Sequence, residues 1–303
     1  MFKFGFEVEE PEAEEVFASN EKDLREDEND TPKIDWYPSE EVHPTEDHLT
    51  NLNLCALNST SITSKDVEIH YVHSGSLIKI IDTGKPKEGD EDFKIELSDI
   101  KSAESKHSDL LPGVYEGGAK IWECTIDMIE YFSESTKRSD FEGKRVLDLG
   151  CGSGLLGIFA QTCGATVHFQ DYNKDVLETL TIPNVLLNYE HPTLETIKDN
   201  KFYSGDWSKY VEFTREDPKF DYIFTSETIY NPINQQKLLD TFAEKLAKTG
   251  TVYLGAKIHY FGVGGGIRQF EELLKKDHRF KSDVVWTSSE GVQREILTIN
   301  WND

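Results

Sequence analysis

Basic residues are scarce in this chain. Its 303 residues carry 32 lysines and arginines against 57 aspartates and glutamates, a formal net charge of −25. That balance excludes a protein that grips DNA phosphates by bulk electrostatics. It suits a soluble protein that attracts a basic partner. Cysteine is also sparse, and Cys55, Cys124, Cys151 and Cys163 show no C-x-x-C spacing. Neither a zinc site nor a disulfide framework is implied, and the four read as free thiols of a reducing compartment. No apolar run reaches membrane-spanning length, and the opening "MFKFGFEVEE" lacks the pattern of a signal peptide. No metal site, internal repeat or dimer interface stands out. The expectation is a monomer in the cytoplasm with access to the nucleus, although no basic import run is visible.

The acids are unevenly spread. Residues 1–50 hold 17 acids and 4 bases. Stretches such as "EVEEPEAEEV" and "EKDLREDEND" bury too little apolar surface to offset the entropy of ordering, which predicts a disordered acidic tail over 1–50. Such a tail serves as a solvated extension or docks on a basic partner. "TPKIDWYPSE" is a local exception, since Trp36 and Tyr37 beside prolines could dock on the folded body. A small β-rich extension is expected over 51–114. There "DVEIHYVHSGSLIKII" alternates like a hairpin with its turn at Ser74–Gly75, and "DFKIELSDI" could add a strand. Next, "LPGVYEGG" reads as a loop, and Ile121, Thr125, Met128, Ile129 and Phe132 recur at helical spacing.

From Arg145 onward strands and helices alternate. The strands are "RVLDLG", "TVHFQD", "KFYSGD", "YIFTSE" and "TVYLGAKI". Helices are expected at Leu155–Cys163, around Asn173–Asn188, over "INQQKLLDTFAEKLAKTG" with a stop at Lys248 and Gly250, and over "GGIRQFEELLKKD". Two last strands, "SDVVWTSS" and "REILTINW", joined by the short "EGVQ", suggest an antiparallel pair. The fold class is α/β: a Rossmann-like parallel sheet with helices on both faces, filling a domain over 115–303.

The first strand turns into "DLGCGSGLLG". Its glycines satisfy both G-x-G-x-x-G and G-x-G-x-G, so alone they do not separate a dinucleotide from S-adenosylmethionine. Asp148, two residues before Gly150, favours the second. A pyrophosphate loop keeps acid away, whereas S-adenosylmethionine brings a sulfonium and an ammonium. The alternative is that Asp148 only holds the turn. Gly150 and Gly152 let backbone approach the ligand closely. Asp171 ends the second strand, placed to accept ribose hydroxyls, a use that either cofactor allows. Asp206 ends the third, where it could accept from an adenine amine with Trp207 as an apolar wall, or cap the following helix.

"DLGCGSG", the acid-ended strands and the closing strand pair resemble the seven-stranded S-adenosylmethionine-dependent methyltransferases, from about Tyr115 to the C-terminus. "SETIYNP", with Glu227-x-x-Tyr230, resembles the branch that methylates proteins, mainly on lysine. "LPGVYEGGAKIWECT", "FQDYN", "SGDW" and "TSETIYNP" together are similar to the protein-histidine N-methyltransferases that modify a large-subunit ribosomal protein. The resemblance implies a cofactor wall of Ile121, Trp122, Glu123, Cys124 and Thr125. It adds Gly150, Asp171, Tyr172, Asn173, Gly205, Asp206, Trp207 and Ser226 to the cofactor shell, and the wider superfamily adds Asp148 and Gly152. Glu227, Tyr230 and Asn231 are assigned to target positioning, the alternative being a capped turn. Cys124 and Cys151 are small packing residues, because methyl transfer needs no enzyme nucleophile.

The implied partner is a basic ribosomal protein. A neutral imidazole is a competent nucleophile, provided an acceptor fixes its tautomer; Glu227 is the first candidate and Asn231 the second. A lysine target, a small-molecule substrate, and a chaperone of a basic protein built on the same fold stay open. His107, just before the "LPGVYEGG" loop, could be methylated in cis or be an ordinary exposed loop residue.

Overall fold

A computed structural model describes residues 35–72 and 113–302, together with 76, 100, 110 and 111. The acidic segment up to residue 34, the proposed turn at Ser74–Gly75, nearly all of "DFKIELSDI" and His107 lie outside the described residues. Residues Trp36–Asp303 form one compact unit.

In chain order the strands are β1 (Glu40–Val42), β2 (Thr60–Ser64), β3 (Val67–Tyr71), β4 (Arg145–Leu149), β5 (Thr166–Asp171), β6 (Lys201–Ser204), β7 (Phe220–Ser226), β8 (Leu246–Lys257), β9 (Phe280–Thr287) and β10 (Arg294–Trp301). The helices are α1 (Glu46–Thr50), α2 (Leu52–Leu57), α3 (Glu123–Ser135), α4 (Arg138–Phe141) and α5 (Leu155–Thr162). They continue with α6 (174–187, π-helical over Leu177–Thr181), α7 (Trp207–Phe213), α8 (Pro232–Lys245) and α9 (Ile267–Asp277). Eight strands form the main sheet in the order β1-β6-β5-β4-β7-β8-β10-β9. The run β6-β5-β4-β7-β8 is parallel, and β10 inserts antiparallel between β8 and β9.

The period-2 alternation of the strands sorts the core into two layers. On β4, Val146 faces one layer with Met128 and Phe132 of α3 and Leu156 and Phe159 of α5. Leu147 and Leu149 face the other, against Leu238 and Phe242 of α8 and Phe270 of α9. Central strands buried on both faces need helices on both, as the alternating sequence predicts.

Two expectations are corrected. The tail does not run to residue 50, because β1 pairs antiparallel with β6, Val42 opposite Phe202, and α1 follows directly. The expected docking of Trp36 and Tyr37 explains this: Tyr37 stacks on Tyr172 with centroids 4.9 Å apart, and its carbonyl accepts from the Asp206 N–H at 3.1 Å. Within 51–114 the described hairpin is β2–β3, turning at Lys65–Asp66. The extension also holds α2, which packs against α6. Finally, α8 stops at Lys245 rather than at Gly250. Leu246 is fully buried opposite Phe220, so β8 starts there and burial overrides the continuing helical spacing.

Candidate active site

A cavity of about 600 Å³ opens at the carboxyl ends of β4, β5, β6 and β7, where open α/β sheets bind ligands. That volume suits a cofactor-sized molecule. The turn after β4 forms its floor. Gly150 and Gly152 have φ of +68° and +51°, and a Cβ on Gly152 would stand 2.7 Å from the Gly118 carbonyl oxygen. Two glycine backbones thus pass close to each other beside the ligand space.

The wall at the ends of β5 and β6 is rich in carboxylates. Asp171 accepts from the Gly152 N–H at 2.8 Å and from the Asn173 N–H at 3.1 Å. Burial pushes its pKa up to about 6, against the pull of these amides. Asp206 caps α7 through the Ser208 N–H at 3.0 Å and pairs with Lys237 at 2.7 Å. Trp207 lies beside it, its indole N–H on Gln170 at 3.0 Å. Trp36 closes this end, with the Lys237 ammonium 3.4 Å from its ring centroid.

At the far end, β7 delivers Glu227 in a left-handed conformation, φ +58°, with its N–H on the Gly255 carbonyl at 2.8 Å. A non-glycine residue held there is strained, and such strain persists where it aims a side chain. The Tyr260 hydroxyl donates to Glu227 Oε2. Glu227 Oε1 is buried with no hydrogen-bond partner among the described residues. Lys257 Nζ stands 3.8 Å from it, too far for a hydrogen bond, while holding Glu123 at 3.0 Å. Burial opposes the Lys257 charge, but Glu227 and Glu123 outweigh it and its pKa lies above the ordinary lysine value. Burial and the Glu227 charge push the Tyr260 phenol up, so it stays a donor.

The expected cofactor wall divides. Ile121, Trp122 and Thr125 line the cavity, and Thr125 donates to Ser226 Oγ at 3.1 Å. Glu123 and Cys124 do not line it; one turns outward to Lys257 and the other is buried behind. Tyr172, Gly205 and Tyr230 line it, whereas Asn173 stands behind, bonding the 113–116 loop through the Glu116 N–H at 3.1 Å and the Val114 carbonyl at 2.7 Å.

Two assignments are overturned. Asp148 was expected to face the ligand. Strand alternation instead turns it with Val146 toward α5, where it accepts from the Gly157 N–H at 2.8 Å and burial pushes its pKa up to about 8. Asn231 was a second target acceptor. Its side-chain oxygen instead caps α8 through the Ile233 N–H at 3.1 Å, outside the cavity lining. Asp206 caps α7 and also lines the cavity. Sequence reasoning missed Trp36 as a lining residue, together with Glu116, Lys257 and Tyr260. "HYFGVGGG" after β8 offered only its glycines as a loop signal.

This strand order, with β10 reversed and inserted beside β8, and the glycine turn at the end of β4 define a class I methyltransferase. Residues 112–272 match a family model described as lysine methyltransferase. A histidine protein methyltransferase 1 homolog from Dictyostelium discoideum is 46% identical over 194 residues, covering 63% of this chain and 60% of that protein. One from Bos taurus is 40% identical over 225 residues, covering 67% and 60%. Histidine protein methyltransferase 1 of Schizosaccharomyces pombe is 31% identical over 249 residues, covering 69% and 72%. The chain belongs to this methyltransferase family, beside its histidine protein methyltransferase 1 members. It spans about 60% of the length of the cattle and Dictyostelium relatives.

S-adenosylmethionine is the family's cofactor, and the cavity fits it. The glycine floor leaves room that a Cβ would fill, and each end presents a buried carboxylate oxygen with no hydrogen-bond partner among the described residues, Glu116 Oε2 and Glu227 Oε1. Trp36, Trp122 and Trp207 supply flat apolar walls. Trp36→Ala is therefore expected to weaken S-adenosylhomocysteine binding by roughly tenfold, the scale of one aromatic stacking surface. Isothermal titration calorimetry checks it, and an unchanged Kd would place Trp36 outside the binding surface.

Proposed function

We propose that this chain methylates a histidine imidazole of a basic large-subunit ribosomal protein, using S-adenosylmethionine, in the cytoplasm and nucleus. The carrying observation is Glu227 Oε1, buried at the end of the cavity away from Asp206 and Trp36, with no hydrogen-bond partner among the described residues and the Lys257 ammonium 3.8 Å away. Bound S-adenosylmethionine supplies an electrophilic methyl group on a sulfonium. The chain's own task is to hold the acceptor. Glu227 Oε1 can take the N–H of a neutral imidazole, which fixes the tautomer and leaves the other nitrogen's lone pair facing the methyl donor. Tyr260 and Lys257 hold the carboxylate in place, where it can stabilise the imidazolium that forms.

The names of the cattle and Dictyostelium relatives support the histidine target. The net charge of −25 supports a basic partner. The family model's description favours a second reading, a lysine target. Against it, a substrate ammonium would approach Glu227 beside the Lys257 ammonium. Lysine would also have to shed a proton from a group with pKa about 10.4, whereas imidazole near about 6.5 is already neutral at cell pH.

The deciding experiment incubates the protein with radiolabelled methyl-S-adenosylmethionine and ribosomal proteins from cells lacking it, then hydrolyses the labelled protein. Label in methylhistidine on one large-subunit protein is expected. Methyllysine would transfer the same site to the second reading, and cofactor binding without label would point to a small-molecule substrate or a chaperone.

A further inference from the structure

The acids that the sequence marks for the nucleoside, Asp171 and Asp206, already hold partners on both oxygens: two backbone amides for one, a cap and Lys237 for the other. Glu116 differs. Its Oε1 accepts from the Gly113 N–H at 2.8 Å, while Oε2, buried in the cavity lining, has no partner among the described residues. The loop that carries it is pinned by three hydrogen bonds to two adjacent residues. The Tyr172 hydroxyl donates to the Gly113 carbonyl at 2.8 Å, and Asn173 bonds both the Val114 carbonyl and the Glu116 N–H. An acceptor held rigid, buried and unused is ready for a ligand's donor, because leaving it unmet is unfavourable.

Its place in the cavity selects which part of the ligand. Its loop is bonded to Tyr172 and Asn173, directly after Asp171 at the end of β5, so Glu116 shares the carboxylate-rich wall with Asp171 and Asp206. Burial raises the Glu116 pKa, Asp171 and Asp206 add to the rise, and the Gly113 N–H and Lys237 oppose it. A neutral donor such as a hydroxyl or an exocyclic amine eases that crowding of carboxylates.

We propose that Glu116 binds the cofactor, accepting through Oε2 a hydrogen bond from the nucleoside half of S-adenosylmethionine. The donor is a ribose hydroxyl or the adenine amine. This rests on the cofactor and is independent of which protein residue is methylated.

The test measures S-adenosylhomocysteine binding by calorimetry to the full chain and to Glu116→Gln and Glu116→Asp. It repeats the titrations with the 2′-deoxy and 3′-deoxy forms and with the purine form lacking the 6-amine. Glutamine must turn its amide oxygen to the Gly113 N–H and so presents N–H to the ligand's donor. A loss of affinity of roughly tenfold or more is expected, at unchanged thermal midpoint. Aspartate keeps the charge but withdraws it by one methylene, and an intermediate loss is expected. The glutamine penalty should vanish for the analogue that lacks the partner, which identifies the donor. Equal Kd for wild type and Glu116→Gln would overturn the proposal. So would a penalty identical across all three analogues, the sign of a merely structural role. A wild-type chain that binds no S-adenosylhomocysteine would remove the cofactor assignment and this proposal together.

Discussion

Glu227→Gln is expected to lower the single-turnover rate of methyl transfer by roughly 10²-fold, the usual worth of a positioned acid or base. Affinity for S-adenosylhomocysteine should change little. The reasoning is one of polarity. The Tyr260 hydroxyl requires an acceptor, so the glutamine amide turns its oxygen there and aims its NH₂ at the target. A donor then faces the imidazole N–H, and the charge that stabilises the product cation is gone. Glutamine inherits the same strained backbone, φ +58°, so the comparison isolates the carboxylate. The pH profile carries a second readout. With a histidine target the wild-type rate rises as pH passes through about 6.5 and then levels, because only the neutral ring attacks. A rise continuing toward about 10 would indicate lysine. Unchanged turnover in the variant would remove Glu227 from the chemistry, and a parallel loss of cofactor binding would assign it to the cofactor instead.

Most of the parallel sheet was readable because its strands repeat one pattern, an apolar run ending in an acid or a glycine, with a helix between each pair. Strand β1 was not readable. "EEV" between prolines carries two acids, and Val42 is its one buried side chain, so its order comes from pairing with β6 and from Tyr37 stacking on Tyr172. The site divides in the same way. The glycine turn, Trp122 and Glu227 sit in local motifs whose spacing carries meaning. Glu116, Lys257 and Tyr260 come from separate loops, and only the closed sheet brings them to the cavity. Asp148 and Asn231 failed for a different reason. Each had a ligand role and a backbone role open to it, and short polar side chains at strand and helix ends satisfy the nearest N–H first. Asp171 shows that the two uses can share one cavity wall.

Gly152→Ala should produce the opposite kinetic signature: affinity for S-adenosylmethionine falls by roughly 10²-fold while turnover at saturating cofactor is largely kept. Alanine at φ +51° costs about 1 kcal/mol or more in backbone strain alone. The larger effect is steric. The new Cβ would meet the Gly118 carbonyl oxygen at 2.7 Å, a backbone atom that no rotamer change can clear. Gly118 in turn lies close to Asp171, since a Cβ built on it would stand 3.0 Å from Asp171 Oδ1. Relief must therefore stretch the Asp171 bond to the Gly152 N–H or push residues 117–119 outward, and either widens the nucleoside end where Glu116 and Asp171 converge. Glu227 follows the end of β7, held by β8 and Tyr260 and outside that path, so the acceptor end keeps its geometry. Titrating the initial rate against S-adenosylmethionine separates the two variants: a raised KM with kept kcat for Gly152→Ala, a lowered kcat with kept KM for Glu227→Gln. If the alanine variant lost kcat as well, the two ends of the cavity would be mechanically coupled, and Thr228, against which a Cβ on Gly150 would press at 2.6 Å, is the contact through which the floor reaches Glu227.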